Sequence, residues 1–116
     1  MAAKYSMQID QGADFEIALM ISDANGNPIT LVDYSFKSDA VPSLSVKIPA
    51  FSFQFEIADQ TVNKGTVWMR LSKERSFAVA IKQDTKFLYD VKMVTPFRKE
   101  ERLFEGDIVL RPGVTR

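Results

Sequence analysis

The chain has 116 residues, and its fifteen basic and fifteen acidic side chains give a formal net charge of zero. That balance argues against a dedicated nucleic-acid binder, because phosphate contacts need an excess of basic residues. There is no cysteine and no histidine, which excludes disulfides, thiolate metal sites, cysteine nucleophiles and histidine general bases. No apolar run approaches the roughly 20 residues that span a bilayer, and the N-terminus has no secretory hydrophobic segment. We therefore expect one soluble domain over residues 1–116, made inside the cell, with no membrane contact.

Alternating apolar residues predict two strands near the N-terminus. The first runs from Tyr5 to Ile9 and is expected at the edge of a sheet. The second runs from Phe15 to Ser22 and is largely apolar on both faces, which favours a central position. Between this strand and the next apolar residues lies a strong turn signal, residues 23–28, with an Asn-Gly pair followed by proline.

The middle of the chain is rich in breaks. A short strand is predicted from Asp33 to Lys37. Between Pro42 and Pro49, apolar residues alternate with polar ones and predict a further strand at Leu44, Val46 and Ile48. Because proline cannot donate to a ladder, this strand is expected at an edge or on an excursion from the sheet.

The next segments alternate more regularly. Phe51 to Ile57 predicts a half-buried strand with one aromatic face, and Thr66 to Leu71 predicts a strand whose inward side chains are Val67, Met69 and Leu71. Ser72 to Lys82 is the one helical candidate, with Ser72 as N-cap and apolar residues at helical spacing. We expect this helix to cross from one sheet to the other.

The clearest local signal is a β-hairpin from Lys86 to Leu110. Two runs of alternating large apolar residues flank a polar, proline-containing link from Thr95 to Glu101. With about seven or eight short strands separated by turns, the pattern predicts an all-β, immunoglobulin-like antiparallel sandwich with one short helix. An open barrel would satisfy the same pattern.

Acidic residues interrupt the apolar pattern of this hairpin at Asp90 and Glu105. A carboxylate on such a strand needs a cationic or hydrogen-bonding partner. The candidate partners are the nearby arginines Arg102, Arg111 and Arg116. We interpret these five residues as structural ion-pairing positions.

A row of aromatic residues is the candidate partner-binding surface. Trp68, Phe51, Phe53 and Phe55 could form a ligand platform, but alternation with polar residues fits core packing more simply. The cluster Arg98, Lys99 and Arg102 is interrupted by acidic residues and is interpreted as a solvated turn.

No catalytic, metal-binding or cofactor-binding residues are predicted. The remaining acidic residues lie mostly in turns, and the sequence has no phosphate loop, nucleophile elbow or dinucleotide fingerprint. Asp23 to Asn27 is loosely similar to a calcium loop, but its glycine comes too early and Tyr34 stands where the distal glutamate is required. We expect a plain hairpin turn there.

Both ends of the chain resemble one kind of phage protein. Residues 10–15, DQGADF, and 23–31, DANGNPITL, are similar to the "QGA-(T/D)-F … D-x-x-G-x-P-(I/V)-x-L" opening of small tail-associated virion proteins of phages and prophages. Residues 88–91, LYDV, and 103–110, LFEGDIVL, followed by Pro112 and residues 114–116, VTR, resemble that family's "YD(L/V) … LLEG-x-(V/I)-x-(V/L)-x-P-x-VTR" ending. The same segments resemble the N-terminal domain of phage baseplate upper proteins.

This resemblance covers about half of the chain and implies a non-enzymatic virion component of the tail or baseplate region. Such a protein would act as an assembly adaptor between larger virion components. Its partners would be other virion proteins, and its own copies would form a symmetric oligomer. The alternatives are a small carbohydrate-binding module that aids host attachment, or a head decoration protein. An enzyme ranks far below all of them.

Overall fold

The computed structural model describes residues 3–46 and 48–113, and these form ten strands and one short helix. In chain order they are β1 (Ala3–Lys4), β2 (Met7–Asp10), β3 (Phe15–Met20), β4 (Ser35–Lys37), β5 (Asp39–Val41), β6 (Phe51–Ser52), β7 (Gln54–Ile57), β8 (Thr66–Leu71), α1 (Lys73–Phe77), β9 (Thr85–Val94) and β10 (Glu100–Arg111).

Two sheets pack face to face. Sheet A follows the order β1-β10-β9-β5-β6, with β2 also paired to β10 and β4 also paired to β9. Sheet B has three strands in the order β3-β8-β7. Inward-facing apolar side chains from both sheets form one core cluster. The prediction of an all-β, immunoglobulin-like sandwich is confirmed.

The strand count exceeds the expected seven or eight because three stretches are interrupted. β1 and β2 are separated by Tyr5 and Ser6, β4 and β5 by Ser38, and β6 and β7 by Phe53. β1 and β2 both pair with β10, and β4 and β5 both pair with β9, so only the interruption at Phe53 passes the chain from one sheet to the other.

The C-terminal hairpin is confirmed. β9 and β10 pair antiparallel along almost their whole length. The turn is closed by hydrogen bonds from the Thr95 N–H to the Lys99 carbonyl and from the Arg98 N–H to the Thr95 carbonyl, both 2.9 Å. The inward face of β9 is buried, namely Phe87, Tyr89, Val91 and Met93. The hairpin therefore supplies the central pair of sheet A.

The N-terminal strands lie beside β10 and run parallel to it. The two backbones approach so closely that a Cβ atom on Gly106 would lie 2.2 Å from the Tyr5 carbonyl oxygen. The phenol of Tyr89 donates a hydrogen bond of 2.6 Å to that same carbonyl oxygen. Glycine is required at position 106 because any side chain would push β1 away from β10.

Gln11 connects three parts of the chain behind this contact. Its buried side-chain amide donates to the carbonyl oxygens of Ser76 (2.9 Å) and Val79 (2.6 Å). Its side-chain oxygen accepts a hydrogen bond of 3.3 Å from the Gly113 N–H. One side chain thereby holds the first turn, the end of α1 and the segment after β10 together.

The same network explains why the helix is shorter than the predicted Ser72–Lys82. Ser72 caps α1 as expected and accepts from the Arg75 N–H, and α1 does lie between sheet B and sheet A in chain order. The helix ends at Phe77, however, and the Gln11 side-chain amide donates a hydrogen bond to the Ser76 carbonyl oxygen. Val79 and Ile81 both pack on the core, and they lie in a turn and an irregular segment after the helix.

The predicted strand between Pro42 and Pro49 is wrong. β5 and β6 pair directly with each other, and the described residues between them, 42–46 and 48–50, form a loop, which we call loop 42–50. The Ala50 N–H closes this loop on the Ala40 carbonyl at 2.8 Å. The two prolines cannot donate to a ladder, so the apolar residues between them remain outside both sheets.

Two further expectations are corrected. β3 is not central; it lies at the edge of sheet B and pairs only with β8 among the described strands. The predicted strand from Phe51 to Ile57 is divided, since β6 belongs to sheet A and β7 to sheet B. Phe53 lies at the crossing, where its N–H donates to the Ser38 carbonyl at 3.0 Å.

Replacing Gly106 tests the close approach of β1 to β10. We expect Gly106→Ala to lower the free energy of unfolding by about 1–3 kcal/mol, because the new methyl group overlaps the Tyr5 carbonyl. The measurement is chemical denaturation. Asp107→Ala, at the adjacent outward position, is the control and should change stability by less than about 0.5 kcal/mol. Equal effects of the two substitutions would contradict the steric argument.

Candidate interaction surface

A groove with a volume of about 600 Å³ lies on the outer face of sheet A. The alternation that buries Tyr89 and Val91 turns Leu88 and Asp90 outward, and the facing positions of β10 do the same. The groove is lined by Lys4, Ser6, Asp39, Val41, Leu44, Leu88, Tyr89, Asp90, Arg102, Glu105, Gly106 and Asp107. Its lining therefore combines apolar and charged side chains.

Among the charged residues of this lining, Arg102 contacts both Asp90 and Glu105. Asp90 and Glu105 lie directly opposite each other in the β9–β10 ladder, an arrangement in which like charges repel. The Arg102 guanidinium lies 3.1 Å from an Asp90 carboxylate oxygen and 3.9 Å from one of Glu105. The ladder shifts register between Arg102 and Phe104. Arg102 thus offsets the repulsion between the two carboxylates.

The other two candidate arginines do not join this cluster. Arg111 lies opposite Asp10 in the parallel β2–β10 pair, and its Nε is 3.8 Å from an Asp10 carboxylate oxygen. Its expected pairing with Asp90 or Glu105 is wrong, because Arg111 lies several residues further along β10. Arg116 is outside the described residues.

A further ion pair lies towards the hairpin turn. The Lys37 ammonium is 2.7 Å from a Glu100 carboxylate oxygen. Its hydrogen bond and charge raise the pKa of Lys37 and lower the pKa of Glu100. Both side chains are largely exposed, so water screens the pair and it adds little stability.

The aromatic row is not a surface. Phe51 and Phe53 are only 7% and 6% exposed, and their rings pack edge to face with centroids 5.7 Å apart. Phe55 is half-buried and packs on Phe36 with ring centroids 5.8 Å apart. Phe51 and Phe53 are therefore core residues and are not available to a ligand.

Trp68 is the exception, because it faces outward on β8 in sheet B. The Arg70 guanidinium carbon lies 5.9 Å from the centre of its ring. Arg70 also pairs with Glu16 of β3 and Glu56 of β7, which raises its pKa and ties the three strands of sheet B together. Trp68 thus has a cation over its ring.

The loop 42–50 presents apolar side chains beside the groove. Leu44 is 89% exposed and Ile48 is 80% exposed, and Leu44 also lines the groove. Sequence reasoning assigned these residues to a strand because they alternate with polar ones. The flanking prolines were the signal that they could instead form an exposed apolar loop.

Within residues 3–46 and 48–113, no three acidic side chains cluster closely enough to hold a metal ion. None of the helices in these same ranges has the length and apolar character needed to cross a bilayer. The Asn-Gly segment at 23–28 forms a turn, in which the Asp23 carboxylate accepts hydrogen bonds from the Asn25 and Asn27 N–H groups.

Comparison with protein-family models finds no match, and comparison with curated protein sequences finds none either. Among solved structures, murine CRIg aligns over 94% of this chain and 92% of its own, with 12% identity and a TM-score of 0.42. A chain in the structure of ICOS in complex with ICOS-L and an anti ICOS-L VNAR domain aligns over 97% of this chain and 56% of its own, with 13% identity and a TM-score of 0.42. Neither likeness is close enough to carry a functional argument.

Removing Asp90 tests the ion pair with Arg102. We expect Asp90→Ala to lower the free energy of unfolding by about 0.5–1 kcal/mol, since the pair is only partly exposed. Thermal and chemical denaturation measure the effect. In an Arg102→Ala background the same substitution should cost clearly less. An unchanged melting temperature in the single variant would show that the pair does not stabilise the fold.

The buried phenol of Tyr89 predicts a pH dependence. Burial, and secondarily the proximity of Tyr5, raises the pKa of Tyr89 above its ordinary value of 10.0. Its contribution to stability is therefore complete below about pH 10 and is lost as pH rises through the folded-state pKa. Tyr89→Phe removes the hydrogen bond to Tyr5, so it should cost about 1 kcal/mol at neutral pH.

The cost of Tyr89→Phe should shrink above about pH 10, because Tyr89 then ionises in the unfolded wild-type chain before it ionises in the folded one, and the variant has no phenol to ionise. Urea denaturation of both chains across this range measures the difference. A constant difference between neutral and alkaline pH contradicts the assignment.

Proposed function

We propose that this chain is a bacteriophage virion structural protein of the tail or baseplate region, acting as an assembly adaptor between larger virion components. The observation that carries the proposal is the exposed apolar loop 42–50 beside the groove of sheet A. Leu44 and Ile48 are almost fully exposed, and exposed apolar clusters rimmed by polar residues are typical of protein–protein contacts. Burial of this surface against a neighbour is the mechanism of assembly.

The resemblance to tail-associated virion proteins also supports the proposal, because two residues of the resembling motifs stabilise the fold. Gln11 of the opening motif holds α1 and the segment after β10. Gly106 of the closing motif admits the N-terminal strand beside β10. Gln11 and Gly106 thus serve the fold, which fits a structural component.

The carbohydrate-binding alternative loses most of its support. It depended on an exposed aromatic row, and Phe51 and Phe53 belong to the core. Of the other two, Phe55 is half-buried against Phe36, and Trp68 already has Arg70 over its ring. A head decoration protein differs from the proposal only in its place on the particle, so the same imaging experiment separates the two.

Electron cryomicroscopy of the intact particle tests the location. We expect density for this chain in the tail or baseplate, at a copy number that matches a symmetric ring, with loop 42–50 against another virion protein. Density on the head would favour decoration instead. A chain that is absent from purified particles and binds no virion protein would contradict the proposal.

Substitution in the loop tests the mechanism. Leu44→Asp and Ile48→Asp should each reduce incorporation into particles about tenfold or more, because a carboxylate would be buried at the contact. Val62→Asp is the matched control, since Val62 is 76% exposed on a different loop and should be neutral. Quantitative mass spectrometry of purified particles measures incorporation. Equal incorporation of all three variants would exclude this loop as the contact.

A further inference from the structure

The core of the sandwich is incompletely covered along β3. The inward side chains of β8, its neighbour, are fully buried at Val67, Met69 and Leu71. The inward side chains of β3, which are Phe15, Ile17 and Leu19, remain half-exposed. An immunoglobulin-like sandwich would cover this margin with a further strand, but here β1 and β2 pair with β10 in the opposite sheet.

Along this open margin, the backbone of β3 is unpaired on the side that faces away from β8. Ile21 donates to the Gly65 carbonyl at 2.7 Å, and the β3–β8 register continues from there through Leu19 and Ile17. Because antiparallel pairs alternate, the odd-numbered residues of β3 bond to β8, and the N–H and C=O groups of Glu16, Ala18 and Met20 point away from it. No residue in the described ranges bonds to these outward groups.

An apolar slot adjoins this edge. It has a volume of about 570 Å³, and its lining is apolar except for Lys4: Ala3, Lys4, Tyr5, Ile17, Ala18, Leu19 and Phe104. A strand added beside β3 would direct alternate side chains into the slot and the others to solvent. A strand that fits this slot therefore has apolar inward side chains.

We propose that the strand added here is β3 of a second copy of this chain, running antiparallel across a twofold axis at Ala18. In this register Glu16 of one copy lies opposite Met20 of the other, so the two Glu16 carboxylates do not face each other. On the inner side, Ile17 lies opposite Leu19 of the second copy, and both are apolar as the slot requires. Because the formal net charge of the chain is zero, two copies do not repel each other through net charge.

The pairing joins two copies of sheet B into one continuous sheet and is self-complementary, as a twofold contact must be. The contact is small, so the isolated dimer is weak and concentration-dependent. This inference rests on the proposed function only in its expectation of a symmetric assembly, in which other contacts would reinforce the edge.

Charge substitution at Met20 tests the register. Met20→Glu places carboxylates opposite each other at two symmetric positions and should weaken dimerisation roughly tenfold, whereas Met20→Lys should tighten it by a similar factor. Val62→Glu and Val62→Lys are the controls, because Met20 and Val62 are both 76% exposed. Sedimentation velocity over a concentration series measures the dissociation constants. Equal effects of Glu and Lys at position 20 would overturn this register.

Two variants at Ala18 test the edge itself. Ala18→Pro removes an outward N–H and should abolish the dimer while the melting temperature stays close to that of the wild type, since the β3–β8 ladder does not use that group. The chain has no cysteine, so Ala18→Cys should form a disulfide-linked dimer under mild oxidation and Val62→Cys should not. A dimer that survives Ala18→Pro, with its fold intact, overturns the proposal.

A wild-type chain that stays monomeric up to about millimolar concentration also overturns the edge pairing. That result would leave the virion proposal standing if the chain is found in particles. Conversely, a β3-dependent dimer of a chain that is absent from particles would retain the edge pairing and contradict the virion proposal.

Discussion

The close approach of the N-terminal strand to β10 is the constraint on which the rest of this structure depends. The approach exists only because position 106 has no side chain, since a Cβ there would lie 2.2 Å from the Tyr5 carbonyl oxygen. Tyr89 donates to that same carbonyl from inside the core, and Gln11 holds the adjoining turn to α1. Sheet A thereby gains two parallel strands on its β10 side. Sheet B lacks them, and its edge at β3 is left open.

The two surfaces that matter for function both follow from how strands are shared between the sheets. β5 pairs directly with β6, so the described residues between them, 42–46 and 48–50, lie outside the sheet and present Leu44 and Ile48 to solvent. β1 and β2 join β10, so Ile17 and Leu19 lie at an uncovered margin. Several charged groups on the outer face of sheet A are paired locally, as Arg102 is with Asp90 and Lys37 with Glu100. Apolar surface, more than net charge, therefore distinguishes the regions where a neighbour would bind.

Much of the local structure was predictable, and the errors share a cause. The hairpin of β9 and β10, strand β8 and the Ser72 cap were all recognised, because period-two alternation and capping chemistry are local. The position of β3, the loop between Pro42 and Pro49, and the division at Phe53 were missed. Alternation shows that one face of a segment can be buried, but it does not show which strand lies beside it. The end of α1 was missed for a similar reason, since Gln11 binds the Ser76 carbonyl from 65 residues away in the sequence.

The sequence by itself determined the all-β class, the inward residues of the regular strands and the absence of thiol and imidazole chemistry. These depend on composition and on contacts between residues that are near in the chain. Only the tertiary structure decided that Phe51 and Phe53 are core residues, that Arg102 and not Arg111 bridges Asp90 and Glu105, and that β3 is an open edge. Each of these depends on which backbone lies next to which. Here that was set by long-range contacts such as the approach of Tyr5 to Gly106, which no local pattern records.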